Sequence, residues 1–297
     1  MTNDLRSIAA GVLNPLATQP VMGVLILAAA FWVPASPSAA DDTPPVGLSL
    51  TGRIRDFPPA SLHPDFTEGL TGGQTGHSIK NIATSLDGEH KPLYTGEGRR
   101  VSQQWKDAAG RNIAWCVPAA EGDVAGTMLS SDAGVITSAS TFNQWFRDVP
   151  GVNMSRLWTI KLDPVDGGNF AFTVENFHPI DEQLLGNGPD EHNFYFTYEL
   201  VCEFTYDADA SQFFQVQGDD DVWVFINNQL VIDHGGVVAA QTQRIDLNRL
   251  GLTDAQTYQL HFFLAERKQP QSQFGITTNI SSLRTASGND SVFAACD

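Results

Sequence analysis

Three consecutive carboxylates, Asp219, Asp220 and Asp221, stand in the run GDDDVWVFINN at residues 218–228. Carboxylates packed this closely are a ligand set for a hard cation, because calcium takes several oxygens from carboxylates, amides and main-chain carbonyls. Successive residues of a regular strand point to opposite faces. Two neighbouring Asp can therefore share one ion only if the peptide between them bends sharply, as at a cis bond. An ion held in this way and left partly uncoordinated can accept the hydroxyls of a sugar. The plainer use of the run is a solvated acidic turn, and its spacing is not that of an EF-hand loop.

Two further groups lie near the run in sequence or by register. Residues 233–236 (DHGG) end the apolar stretch that follows Asn227-Asn228, so a tight reversal at the two Asn returns Asp233 and His234 to the end that carries Asp220. Asp233 is then either a further ligand or a strand-ending turn residue. Glu266 and Arg267 follow an alternating apolar stretch and could meet the acidic turn, where a structural salt bridge is their commoner use. No nucleophile elbow, HExxH or P-loop is present. Asp219–Asp221 with Glu266 would be candidates for paired-carboxylate glycoside hydrolysis, and their spacing does not select that chemistry. The seven His are scattered, and His192, beside Asp190 and Glu191, reads as a loop residue rather than a metal ligand.

The elements needed to position these groups are β-strands. Residues 194–206 (FYFTYELVCEFTY) alternate without a gap, which puts Phe194, Phe196, Tyr198, Leu200, Cys202, Phe204 and Tyr206 on one face. Thr197, Glu199, Glu203 and Thr205 take a wetter face, as in a half-buried antiparallel strand. Residues 213–217, 222–226, 229–232, 258–264 and 274–280 read as further strands, the second and third joined by the Asn-Asn hairpin. Trp223 and Phe225 alternate with Val222, Val224 and Ile226, so both faces of that strand are apolar and Trp223 reads as core rather than as a sugar platform. Residues 140–148 (STFNQWFRD) place Phe142, Trp145 and Phe146 at helical spacing before Pro150-Gly151, which predicts a short helix. Many short strands without βαβ alternation imply an all-β, antiparallel sandwich, jelly-roll-like, with long loops and few short helices.

With 297 residues and a net charge of −17, the chain is large enough for one large β-domain and lacks the clustered Lys and Arg that nucleic acid requires. Such acidity favours solubility outside the cell and attracts divalent cations. The apolar run at residues 21–33 is too short to span a bilayer and precedes Pro34, Pro37 and the small-residue site Ser38-Ala39-Ala40. Residues 1–40 therefore read as a signal peptide, 41–47 as a flexible leader, 48–284 as the folded domain and 285–297 as a loose tail. No membrane span is expected in the mature chain. Of the three cysteines, Cys116, Cys202 and Cys296, an oxidising compartment would allow one pair to bond, and spacing does not choose it. Asn153, Asn279 and Asn289 begin glycosylation sequons.

The chain resembles the fibro-slime domain, a bacterial extracellular module akin to the protective-antigen-type β-sandwich of toxins, glycosidases and yeast flocculins. The resemblance is carried by residues 52–57 (GRIRDF), 63–66 (HPDF), 91–94 (KPLY), 142–153 (FNQWFRDVPGVN), 177–181 (FHPID), 192–196 (HNFYF), 218–228, 230–236 (LVIDHGG) and 262–267 (FFLAER). It covers nearly all of residues 48–282. It implies calcium held by an Asp–Asp pair joined by a cis peptide, which aligns with Asp219-Asp220; Asp221 stands where relatives often have Gly. It further implies ligands from a distant loop. The loop at residues 267–273 offers Gln269, Gln271 and Ser272 but not the Asn that relatives use.

The combined expectation is a secreted or cell-surface carbohydrate-binding or adhesion protein, not an enzyme, with Ca2+ at Asp219, Asp220 and Asp221. Asp233, His234, Glu266, Gln269 and Gln271 are its candidate ligand-binding residues. Its partners would be extracellular glycans or cell-surface components, not nucleic acid. The alternatives are a structural matrix protein in which calcium only stiffens loops and, less favoured, a glycoside hydrolase.

Overall fold

The computed structural model describes residues 46–58, 63–67, 75–133 and 136–287. The signal peptide, most of the leader, Cys296 and most of the tail expected from sequence lie outside these residues. Antiparallel ladders join the main strands in the order Gln229–His234, Asp221–Ile226, Thr257–Glu266, Phe196–Thr205, Leu48–Asp56, Met154–Val165, Asn169–Val174, Phe274–Thr278, Phe213–Gly218 and Gln241–Asp246. Met154–Val165 links the two layers. Its early part pairs with Leu48–Asp56 and its last residues pair with Asn169–Val174. The result is the antiparallel sandwich that the alternation predicted.

Two apolar cores result. The first lies between the layers and takes the alternating face Phe196, Tyr198, Leu200, Cys202 and Phe204, with Val222, Val224, Ile226, Leu260, Phe262 and Leu264. The second covers the outer face of the same layer with Phe57, Phe66, Phe142, Trp145, Phe146, Trp223, Phe225 and Phe263. Asp221–Ile226 is thus buried along its whole length, and Trp223 is core. The helix near residue 140 is one turn, Ala139–Phe142, capped by Ser138, whose Oγ accepts the Thr141 N–H at 3.1 Å. It delivers Phe142 to the second core.

This second layer corrects one expectation. Thr197 and Glu199 are buried, not on a wet face. Glu199 accepts from Arg55 Nη1 at 2.9 Å and pairs with Lys91. Burial of a carboxylate there is tolerated because two cations face it. The strand also begins at Phe196, and Phe194 packs in the second core instead of the first. Cys116 and Cys202 are free thiols. Cys202 lies in the first core, and Cys116 donates to the Leu230 carbonyl at 3.2 Å.

The Asn227-Asn228 reversal has positive φ at both residues, 51° and 60°, as a two-residue hairpin requires. The amides of two sequon asparagines are committed to main chain. Asn153 Nδ2 donates to the Gln144 and Arg147 carbonyls, and Asn279 Oδ1 accepts the Phe213 N–H. Among the described residues no helix is long and apolar enough to cross a membrane.

Candidate metal centre

Asp221 begins a strand whose neighbour is Thr257–Glu266, with Asp221 opposite Ala265. One step further along this antiparallel register brings Asp220 beside Glu266. The Asp219-Asp220 peptide is cis. One carboxylate oxygen from each of Asp219, Asp220 and Glu266 then lies within 4.8 Å of the others, and all three residues are buried. The third carboxylate of the cluster is therefore Glu266 rather than Asp221.

Asp221 is engaged otherwise. Its Oδ2 pairs with Arg267 Nε at 2.7 Å, and its Oδ1 accepts the Gly236 N–H at 2.5 Å. Gly236 has φ +97°, and a Cβ there would stand 2.4 Å from the Gly76 carbonyl, so only glycine fits that approach. Arg267 is wholly buried, with its guanidinium 4.9 Å from the Trp145 ring centroid and Nη1 3.4 Å from the Asp65 carbonyl. Asp65 in turn accepts Trp145 Nε1 at 3.1 Å and the Thr137 N–H at 2.8 Å. Sequence reading had placed Glu266 and Arg267 near the acidic turn without separating their roles. It missed Asp65 and Trp145, which support Arg267 from far along the chain and carry no local signal for it.

The cluster is tied to two further segments. Asp220 Oδ1 accepts the Val238 N–H at 3.2 Å, and its Oδ2 accepts the Arg267 N–H at 2.9 Å. Asp219 Oδ2 and Glu266 Oε1 are buried without a hydrogen-bond partner. Buried carboxylate oxygens normally have donors or a metal ion. Burial pushes Asp219 from the ordinary 3.8 to about 6. Asp220 and Glu266 are driven well above the usual carboxylate range, first by burial and then by the neighbouring carboxylates. Burial also raises Asp221, against the pull of Arg267. Four carboxylates thus crowd together, and the buried Arg267 guanidinium offsets charge on Asp220 and Asp221. Unpartnered oxygens and excess negative charge fit a hard divalent cation on the oxygens of Asp219, Asp220 and Glu266.

A cleft of about 170 Å³ opens over Asp219 and Asp220, lined also by Thr75, Val238, Lys268, Gln269 and Gln271. Gln269 and Gln271 thus share the cleft with Asp219 and Asp220, and a cis Gln269-Pro270 peptide lies between them. Asp233 and His234 do not line the cleft. Asp233 is buried between Lys80 N, Trp115 Nε1 and Trp223 Nε1, which donate to it at 2.9, 2.7 and 3.2 Å. His234 is buried with its ring centroid 4.9 Å from that of His77. The hairpin does return both residues to the acidic end, but their side chains serve the packing of the second strand.

An antiparallel sandwich with a carboxylate cluster beneath a loop-lined cleft defines a β-sandwich module. Residues 133–291 match the PA14 domain model, and the chain belongs to the PA14 domain family. Protein psiD of Dictyostelium discoideum is 38% identical over 154 residues, 49% of this chain and 30% of that protein. Protein psiQ of the same organism is 37% identical over 168 residues, 52% of this chain and 17% of that protein. Protein psiR is 32% identical over 185 residues, 57% and 18%. The chain thus spans at most 30% of the length of these relatives. Among solved structures, the PA14 domain of the MpAFP antifreeze protein is similar at 11% identity and TM-score 0.24, covering 41% of this chain and 73% of that one. A β-glucosidase from Kluyveromyces marxianus in complex with glucose is similar at 17% identity and TM-score 0.22, covering 33% and 12%.

Proposed function

We propose that this chain is a calcium-dependent carbohydrate-binding or adhesion module of the fibro-slime type, acting outside the cell. PA14 domains occur in carbohydrate-binding and adhesion proteins and in glycosidases. The observation that carries the reading is the pair of unpartnered, buried oxygens on Asp219 and Glu266 beside Asp220, where Asp219 and Asp220 line an open cleft. Calcium there would be held by the three carboxylates. It would leave coordination positions toward the cleft, where two sugar hydroxyls could complete the shell. Gln269 and Gln271 would supply hydrogen bonds at the rim, and Lys268 a positive charge.

Calorimetry tests the ion: calcium binds the wild-type chain, and Asp220→Ala removes the heat. A glycan array with and without chelator tests the ligand: chelator-sensitive binding supports the reading. A second reading is favoured by the three backbone N–H groups, of Val238, Arg267 and Gly236, that converge on Asp220 and Asp221. In that reading calcium only fastens these segments in a structural matrix protein. A blank array with a chelator-sensitive Tm would select it.

A further inference from the structure

A second cluster lies in the loop at residues 175–195, between the strands Asn169–Val174 and Phe196–Thr205. The loop is internally braced. Asp56, fully buried at the end of its strand, accepts Asn193 Nδ2 at 2.9 Å and the Leu185 N–H at 2.7 Å. Asn193 N donates to Asp181 Oδ1 at 2.7 Å, while Asn187 Oδ1 accepts the Glu182 N–H at 2.8 Å and its Nδ2 donates to the Glu191 carbonyl at 2.8 Å. The two arms are thereby held side by side, with His178 on one and His192 on the other. Their imidazoles stack with centroids 4.2 Å apart and planes 3° apart, and Phe194 packs edge-on against His178 at 4.8 Å. Asp181 Oδ2 lies 2.6 Å from His192 Nδ1. One ring nitrogen of each histidine and an oxygen of Asp181 all fall within 4.8 Å of one another.

We propose that His178, Asp181 and His192 bind a borderline divalent transition-metal ion, Zn2+ being the best fit, at a site separate from the acidic turn. Two imidazoles and one carboxylate suit zinc and its neighbours and are poor ligands for calcium, which takes oxygen. Three protein ligands leave a fourth position open, and His192 and Asp181 are 43% and 31% exposed, so solvent reaches the cluster. Two bonds of about 2.1 Å at the tetrahedral angle put nitrogen and oxygen about 3.4 Å apart. The Asp181–His192 pair must therefore open by under about 1 Å, and the stacked rings must tilt so that their in-plane lone pairs meet at one ion, which replaces the proton that now joins Asp181 and His192. The outer shell is already in place: Asn193 N–H fixes the other oxygen of Asp181, and the Asn193 carbonyl lies 3.4 Å from His178 Nδ1. A structural Asp–His pair needs one imidazole. The second ring adds repulsion when both are protonated, and a lone pair when both are neutral.

The test is calorimetric titration of the untagged, chelator-stripped full chain with ZnCl2 in saturating calcium, so that failure of the acidic-turn reading does not affect the result. The expected result is one zinc site with a Kd near about 10 μM or tighter, and a Co2+ derivative with tetrahedral visible bands. Affinity should fall at least tenfold in His178→Phe, His192→Ala and Asp181→Asn and stay unchanged in Asp219→Asn. His178→Phe retains a stacking ring but has no lone pair, so it separates ligation from packing; its Tm in chelator should match wild type. Zinc binding only in the millimolar range, or binding that His178→Phe leaves unchanged, overturns the proposal.

Discussion

The acidic turn and the histidine loop are both three-ligand clusters, and they differ in what surrounds them. Asp219, Asp220 and Glu266 are buried, supply only oxygen, and crowd negative charge at the end of two interior strands. His178, Asp181 and His192 are half exposed, mix nitrogen with oxygen, and sit on a loop braced by its own side-chain amides. Burial raises the cost of an uncompensated charge, whereas exposure lets water screen it. The first cluster should therefore be strongly linked to stability and the second weakly.

The largest expected effect tests the part of the acidic turn that is not a cation ligand. Asp221→Ala strands the Arg267 guanidinium in the second core and should destabilise the chain by about 3–5 kcal/mol in urea unfolding, with or without calcium. A loss seen only in calcium would place Asp221 among the ligands after all.

Next comes a pH effect on the brace of the histidine loop. Burial pushes Asp56 from 3.8 to about 6, so the folded chain keeps a proton that the unfolded chain releases between those values. The stabilisation from this group is full below about pH 4 and is lost as pH rises through 6, a swing of roughly 3 kcal/mol. The difference in unfolding free energy between wild type and Asp56→Asn, followed in chelator, should carry that slope. A difference that is flat from pH 4 to 7 would show that its N–H donors offset the burial.

Glu266→Gln should sharpen the contrast in sign. Without calcium it relieves repulsion from Asp219 and Asp220 and should stabilise by about 1 kcal/mol. With calcium present it should lower Tm relative to wild type, because a ligand oxygen has lost its charge. Thermal scans in chelator and in calcium read both effects.

The smallest effect belongs to the exposed cluster. Asp181→Asn should leave the urea midpoint in chelator close to that of wild type, because its contact with His192 is solvent-screened. A larger loss would trace to the Asn193 N–H that Asp181 also accepts.

Much of the frame was legible. The unbroken alternation from Phe196 to Phe204 fixes which side chains enter the first core, because a strand repeats every two residues. The double-apolar strand after Asp221 announced that both its faces are covered, and Asn227-Asn228 announced its reversal. The acidic run marked where oxygen ligands gather. Glu199 was misread because alternation says which face a residue takes and not whether another layer covers it. His192 does lie in a loop, and its meeting with His178 and Asp181, 14 and 11 residues away, has no periodicity to announce it.

The sequence by itself determined the strand periods, the turn residues and the supply of carboxylates, all of which follow from the stereochemistry of neighbouring residues. Only the tertiary structure decided which carboxylates meet. Register across two strands put Glu266 with Asp219 and Asp220, and packing against Trp145 and Asp65 gave Asp221 to Arg267. Pairing across the sheet depends on contacts between distant segments, and no local pattern encodes the distance between their side chains.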